Sequence, residues 1–216
     1  LQDEAQTIAT FATNHAIAHV TILAEDSETS KQMVEAFQSV WQALGYEAKL
    51  ITLPKEIQSG DQSLKTADLG LLDLKMTIAN QGADMLLLAM SGEKARLARP
   101  YLDISTPTLA FSSTNDADYN NLNAVRVVDI PFLLDKDNSQ FTYYQTQAAE
   151  IHNTELRRWF ALGVDALQIL LANSRVPDSE MVINGLTGKL MIDKTGHISR
   201  RLPIGRFTYN GLVLEN

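Results

Sequence analysis

Short apolar runs separated by amphipathic stretches constrain this chain more than any other feature. His19–Ala24, Ala83–Met90 and Thr108–Phe111 are nearly unbroken in apolar character yet too short for buried helices. A strand that is apolar at almost every position must be covered on both faces, and a parallel sheet flanked by helices covers both. Between the runs, apolar residues recur at three- and four-residue spacing, as in Met33, Val34, Phe37, Val40, Trp41 and Leu44. The fold class that follows is α/β.

In order, the pattern predicts a helix over Asp3–Ala16, a strand over His19–Ala24 and a long helix capped by Ser27 or Ser30 and stopped by Gly45. A strand over Tyr46–Leu53, a helix over Leu69–Ala79, a strand over Ala83–Met90 and a helix from Gly92 to Arg99 closed by Pro100 come next. Thr108–Phe111 and Ala124–Val128 read as strands on either side of a polar loop, and Pro131 should end regular pairing. Beyond it the grammar changes. Ser139–Asn153 and Thr154–Asn173 read as helices, and Leu186–Ile192, His197–Arg201 and Ile204–Tyr209 alternate like antiparallel strands, with turns at Lys194-Thr-Gly196 and Asn210-Gly211.

Composition excludes several classes of function. The absence of cysteine rules out disulfide scaffolds, thiolate metal sites, Fe–S clusters and a thiol nucleophile. A net charge of −8 opposes binding to nucleic acid, which depends on a basic surface. The longest apolar stretches, Met85–Met90 and Phe160–Ala172 with Asp165 inside it, fall short of the roughly 18 residues of a membrane span. The charge is uneven, however: Lys189, Lys194, Arg200, Arg201 and Arg206 form a basic island in which Asp193 is the only acid. These five residues are the partner-binding candidates, and a solvated hairpin is their plain structural alternative.

Three short motifs occur in the order used by penicillin-binding proteins and serine β-lactamases: Ser91-Gly-Glu-Lys94, Ser113-Thr-Asn115 and Lys194-Thr-Gly196. The third reads as a turn and not as the edge strand such chemistry needs, so helix start, loop and hairpin turn account for the three better, and no catalytic residue is assigned. His15 and His19 have zinc-like spacing but straddle a helix end and a strand start. Asp116, Asp118 and Asn120 open like a calcium loop, yet Asn121 and Val127 stand where glycine and a bidentate glutamate are required. No metal ligand and no cofactor is assigned. Glycine-rich nucleotide motifs and the G-x-S-x-G elbow are absent.

Four segments carry a resemblance to a known family: Val34-Glu-Ala-Phe-Gln-Ser-Val-Trp-Gln-Ala-Leu-Gly45, Ala124-Val-Arg-Val-Val-Asp-Ile-Pro-Phe-Leu-Leu134, Arg158-Trp-Phe-Ala-Leu-Gly-Val-Asp-Ala166, and Asn184-Gly-Leu-Thr-Gly-Lys-Leu190 with Arg200-Arg-Leu-Pro203. With the order of elements, they resemble the type I periplasmic-binding-protein fold and, more closely, the C-terminal domain of the LppC family of penicillin-binding-protein activators. The resemblance implies two lobes with parallel sheets flanked by helices. Residues 1–128 would supply β/α units of the second lobe, 129–185 the crossing and first-lobe helices, and 186–216 the closing antiparallel strands and hinge return. Asp129 and Pro131 are the hinge candidates. The opening units of the first lobe are missing from this chain, so the natural protein is expected to be longer.

The function implied by that resemblance is a non-enzymatic outer-membrane lipoprotein on the periplasmic side, anchored by an upstream cysteine. It would bind a class A penicillin-binding protein and stimulate peptidoglycan cross-linking, with peptidoglycan itself a further possible partner. The alternative is a small-ligand binding or sensor protein of the same fold. Ser91, Ser112 and Ser113, at strand ends facing an inter-lobe cleft, would then be the ligand donors.

Overall fold

The computed structural model describes residues 1–53, 64–175 and 180–215. Among them, a seven-stranded sheet and a three-stranded sheet are formed. The first part of the chain runs α1 (Gln2–Asn14), β1 (Val20–Ala24), α2 (Glu28–Ala43), β2 (Ala48–Thr52), α3 (Leu64–Gln81), β3 (Met85–Ala89), α4 (Gly92–Ala98), β4 (Thr108–Ala110) and β5 (Arg126–Val128). There follow α5 (Pro131–Leu134), α6 (Thr142–Gln147), α7 (Thr154–Arg175), β6 (Met181–Gly185), β7 (Gly188–Ile192), β8 (Ile198–Arg201), β9 (Ile204–Thr208) and β10 (Gly211–Glu215). The large sheet has the order β10-β9-β5-β4-β3-β1-β2, with β2, β1, β3, β4 and β5 parallel to one another.

The chain divides into two compact units, residues 1–128 with 206–212 and residues 129–205 with 213–216. In the first unit β1 and β3 are buried at every position, which is why their sequences are apolar without alternation. β2 lies at an edge and is only partly covered. The α2 stripe of Met33, Val34, Phe37, Val40 and Trp41 is buried, and Phe37 and Trp41, each fully enclosed, contribute about 1.5–3 kcal/mol apiece by removal from water. Ser27 is the cap: its Oγ accepts the Ser30 N–H at 3.1 Å. That leaves the buried Ser30 hydroxyl to donate to the Ala89 carbonyl at 2.5 Å, tying α2 to β3. Gly45 follows the helix at φ +87°, a conformation that suits glycine.

Several segments depart from the sequence expectations. The predicted strand Ala124–Val128 begins only at Arg126, because Ala124 takes φ +69° and sends its N–H to the Phe207 carbonyl at 2.9 Å. The predicted helix Ser139–Asn153 is a single 3-10 turn, Ser139–Phe141, followed by the short α6. Only Phe141 and Ala148 of that stretch are buried, so it has no apolar stripe to extend a helix against a core. The strand predicted over Leu186–Ile192 starts at Gly188, because the Leu186 and Thr187 N–H groups are held by a carboxylate described below. Two strands were not expected, β6 ahead of it and β10 after the Asn210-Gly211 turn. Pro131 opens α5, where its fixed φ and missing N–H are tolerated.

In the second unit Phe132 packs near Phe141 and Phe160, at centroid distances of 6.2 and 6.0 Å. β6, β7 and β8 pair antiparallel, with Leu190 and Ile192 buried on one face. The other side of α7 is apolar and open: Leu156, Trp159, Leu167, Leu170 and Leu171 are all more than half exposed.

Candidate functional site

The first unit carries a cluster of polar groups just beyond the carboxyl ends of β1, β3 and β4. Glu25 follows β1, Met90 and Ser91 follow β3, and Ser112 and Ser113 follow β4 by one residue more. The sheet order reverses between β1 and β3, and open α/β sheets place ligands at that point. Here the donors are already engaged. The Ser91 hydroxyl donates to Glu25 Oε2 at 3.0 Å and its N–H to Oε1 at 3.3 Å, while the Ser27 hydroxyl donates to Oε1 at 3.2 Å. The Ser112 N–H goes to Glu4 Oε2 at 2.9 Å. Ser113 and Thr114 both give their hydroxyls to the Met90 carbonyl, at 2.9 and 3.1 Å. The structure thus brings Ser91, Ser112 and Ser113 to neighbouring strand ends, with two carboxylates the sequence reading missed. The signal for Glu25 was available: it is the first acid after an apolar strand.

The residues of the enzyme-like and metal-like motifs engage neighbouring groups of the chain. Ser91 precedes α4 without capping it, because its side chain is turned to Glu25, and Lys94 Nζ lies 3.8 Å from Glu93 Oε1. Lys194-Thr-Gly196 is a turn in the other unit, organised by Asp193 Oδ1, which accepts from the Thr195 N–H, the Thr195 hydroxyl and the His197 N–H at 2.8, 2.6 and 3.0 Å. These bonds, that of the Thr195 hydroxyl foremost, hold the Asp193 carboxyl below its ordinary pKa. His15 Nδ1 is 2.8 Å from the Phe11 carbonyl, whereas His19 Nδ1 is 3.0 Å from Asp84 Oδ2. In the calcium-like loop a guanidinium takes the cation's place: Arg96 grips Asp116 through two bonds of 2.7 and 2.8 Å and reaches Asp118 Oδ2 at 3.2 Å. No group of three or more His, Asp or Glu among the described residues could hold a metal ion.

The second unit is held together by two buried carboxylates. Asp129, fully buried, receives Arg158 Nε at 3.0 Å and Nη2 at 2.7 Å, and also the Ile130 N–H at 2.8 Å. Burial works against the Arg158 charge, but Asp129 and then Glu155 outweigh it and hold the guanidinium pKa above its ordinary value. Asp165, which interrupts the apolar run of α7, accepts the Leu186 N–H at 2.7 Å through Oδ1. Its Oδ2 accepts the Thr187 N–H at 2.7 Å and the Thr187 hydroxyl at 2.6 Å. The Phe132 N–H meets the Leu186 carbonyl at 3.2 Å. Three of the four segments singled out in the sequence therefore converge on one joint. A charged residue inside an apolar helix run was the signal for Asp165.

The basic island is divided. Lys189 and Arg201 are opposite one another across β7 and β8 and share the open face of the small sheet. Arg200 pairs in register with Leu190, hence on the other face, and is half-buried. Lys194 is at the hairpin tip, 3.9 Å from Glu180, and Arg206 belongs to the first unit. Asp129 and Pro131 stand at the start of the second unit, directly after β5.

Comparison with known proteins gives a consistent picture. The profile of the family described as "LppC putative lipoprotein" matches residues 1–209. No curated protein matches the chain. Among solved structures, full-length LpoA from Haemophilus influenzae is 19% identical with a TM-score of 0.73, and the match covers 99% of this chain but only 39% of that one. The C-domain of the same organism's LpoA, titled a regulator of PBP1A, is also 19% identical with a TM-score of 0.72, covering all of this chain and 67% of that one. The leucine-binding protein LivK from Thermotoga maritima, 17% identical with a TM-score of 0.64, is matched over 65% of its length by the whole of this chain. At these identities the likenesses establish the type I periplasmic-binding-protein fold.

Proposed function

This chain belongs to the LppC lipoprotein family, and from that membership we propose that it is a non-enzymatic regulator of peptidoglycan synthesis. In this reading it is a periplasmic lipoprotein of the outer membrane, anchored through an upstream cysteine, that binds a class A penicillin-binding protein and stimulates its transpeptidase. The observation that carries the reading is the family match along residues 1–209. The strand-end geometry agrees with it, since the Ser91 and Ser113 hydroxyls and the Ser112 N–H are spent on internal acceptors. A regulator of this kind acts by binding the active conformation of its partner more tightly than the inactive one, about 1.4 kcal/mol for each tenfold shift.

The test is the rate at which fluorescent penicillin acylates a purified class A penicillin-binding protein. With this protein added the synthase should label faster, and this protein itself should stay dark, as should its Ser91→Ala variant. An unchanged rate would sink the activator reading. A second reading, a binding protein for a small solute, is favoured by one observation, the placement of Glu25 and Ser91 at the reversal of strand order. It predicts that an amino acid at saturating concentration raises the unfolding temperature, roughly 2.7 kcal/mol at a hundredfold excess over Kd.

A further inference from the structure

The open face of the small sheet has a composition that solvent alone does not explain. Register puts Asn184, Lys189 and Arg201 in one row across β6, β7 and β8, and Val182, Met191 and Ser199 in the next. All but Ser199 are exposed, Val182 at 63%. The two rows contain no acid. Among the described residues no carboxylate pairs with Lys189 or Arg201, although the chain as a whole carries a charge of −8. Like charges directly opposite on neighbouring strands repel, and an exposed Val–Met pair beside them gains nothing from water. Both features become favourable only when something covers the face.

We propose that this face docks an acidic, partly apolar segment of a partner protein, a carboxylate lying between Lys189 and Arg201 and an apolar side chain on Val182 and Met191. The two cations of the Lys189–Arg201 row commit the sign of the group that meets them, the acids Glu180 and Asp193 standing past the far end of the apolar row, and the apolar row commits the occupant to a protein surface over a purely ionic polymer. The inference rests on the regulator reading, in which that partner is the penicillin-binding protein. Sequence alone had grouped all five basic residues; the register retains two of them and adds Val182 and Met191.

The test measures binding of the full-length protein to a purified class A penicillin-binding protein. Lys189→Glu with Arg201→Glu should weaken binding about tenfold or more, whereas Lys75→Glu, an exposed charge on α3, should change it less than about twofold. Val182→Thr with Met191→Gln, which keeps the charges, should weaken binding about fivefold. Raising the salt concentration should weaken the wild type and leave the charge-reversed variant nearly unmoved. Circular dichroism checks that both variants remain folded. Binding unchanged in both variants overturns the proposal while leaving the regulator reading in place. No binding by the wild type overturns that reading, and the docking proposal with it. Loss of self-association, or loss of sedimentation with insoluble peptidoglycan, while synthase binding persists would assign the face to a second copy or to the polymer, and also overturns it.

Discussion

Asp165 and its neighbours show how a single buried charge is made tolerable. A carboxylate removed from water costs several kcal/mol unless its oxygens are satisfied, and here two backbone N–H groups and one hydroxyl satisfy them. The approach is so close that a Cβ on Gly185 would lie 2.5 Å from an Asp165 oxygen. Gly185→Ala should therefore cost about 2 kcal/mol or more in urea unfolding, and an unchanged midpoint would mean that the joint yields without cost. Arg96 and Asp116 pose a different test, in acid. Burial raises the Asp116 pKa, but the Arg96 hydrogen bonds outweigh it and hold the carboxyl below its ordinary 3.8. A depressed folded-state pKa contributes stability that is complete above the unfolded value and lost as pH falls through the folded one. Arg96→Gln should thus lower the unfolding temperature near about pH 7, with the gap from wild type closing below about pH 4. A gap that is constant with pH would assign the effect to packing alone. Asp116 is 39% exposed, so solvent screening keeps the contribution modest.

Elements were legible in the sequence where burial was two-sided or striped. β1, β3 and α2 could be read directly because covering both faces of a strand, or one face of a helix, leaves a periodic mark. α6 and β6 could not: α6 has no buried residue, and the β6 pattern is set by pairing with β7. Candidate residues were legible as types and not as partners. Ser91 was visible as a strand-end serine, but nothing in the spacing revealed that Glu25, 66 residues away, would take its hydroxyl. The basic island was visible as composition, and only the register separates Lys189 and Arg201 from Arg200. α7 is the clearest prediction at this scale. Gly163 lies within it on the exposed side, where an added Cβ would meet nothing within 4 Å. Gly163→Ala should stabilise the helix by about 0.5–1 kcal/mol, the reverse of the effect at Gly185, and a loss of stability would reveal a neighbour on that face.

At the scale of the whole molecule, the two units differ in how completely their apolar surface is covered. Trp41 is fully buried in the first unit, whereas Trp159 in the second is 61% exposed. In Trp159→Phe, Trp41 emission should report the first unit alone, and its denaturant midpoint should lie above that of the far-ultraviolet circular dichroism, which sums over both units. Coincident midpoints would make the two a single cooperative block. The order of the large sheet has a further consequence, for the time course of folding. β9 lies beside β5, with the Ala124 N–H on the Phe207 carbonyl and the Phe207 N–H on the Val125 carbonyl just ahead of β5, each at 2.9 Å, although residues 129–205 of the second unit intervene in sequence. On a chain that emerges residue by residue, the rim of β5 must wait without β9 while that intervening segment emerges. For that interval it is an open template for the wrong strand, so the nascent chain is most vulnerable between the emergence of Val128 and the arrival of Phe207.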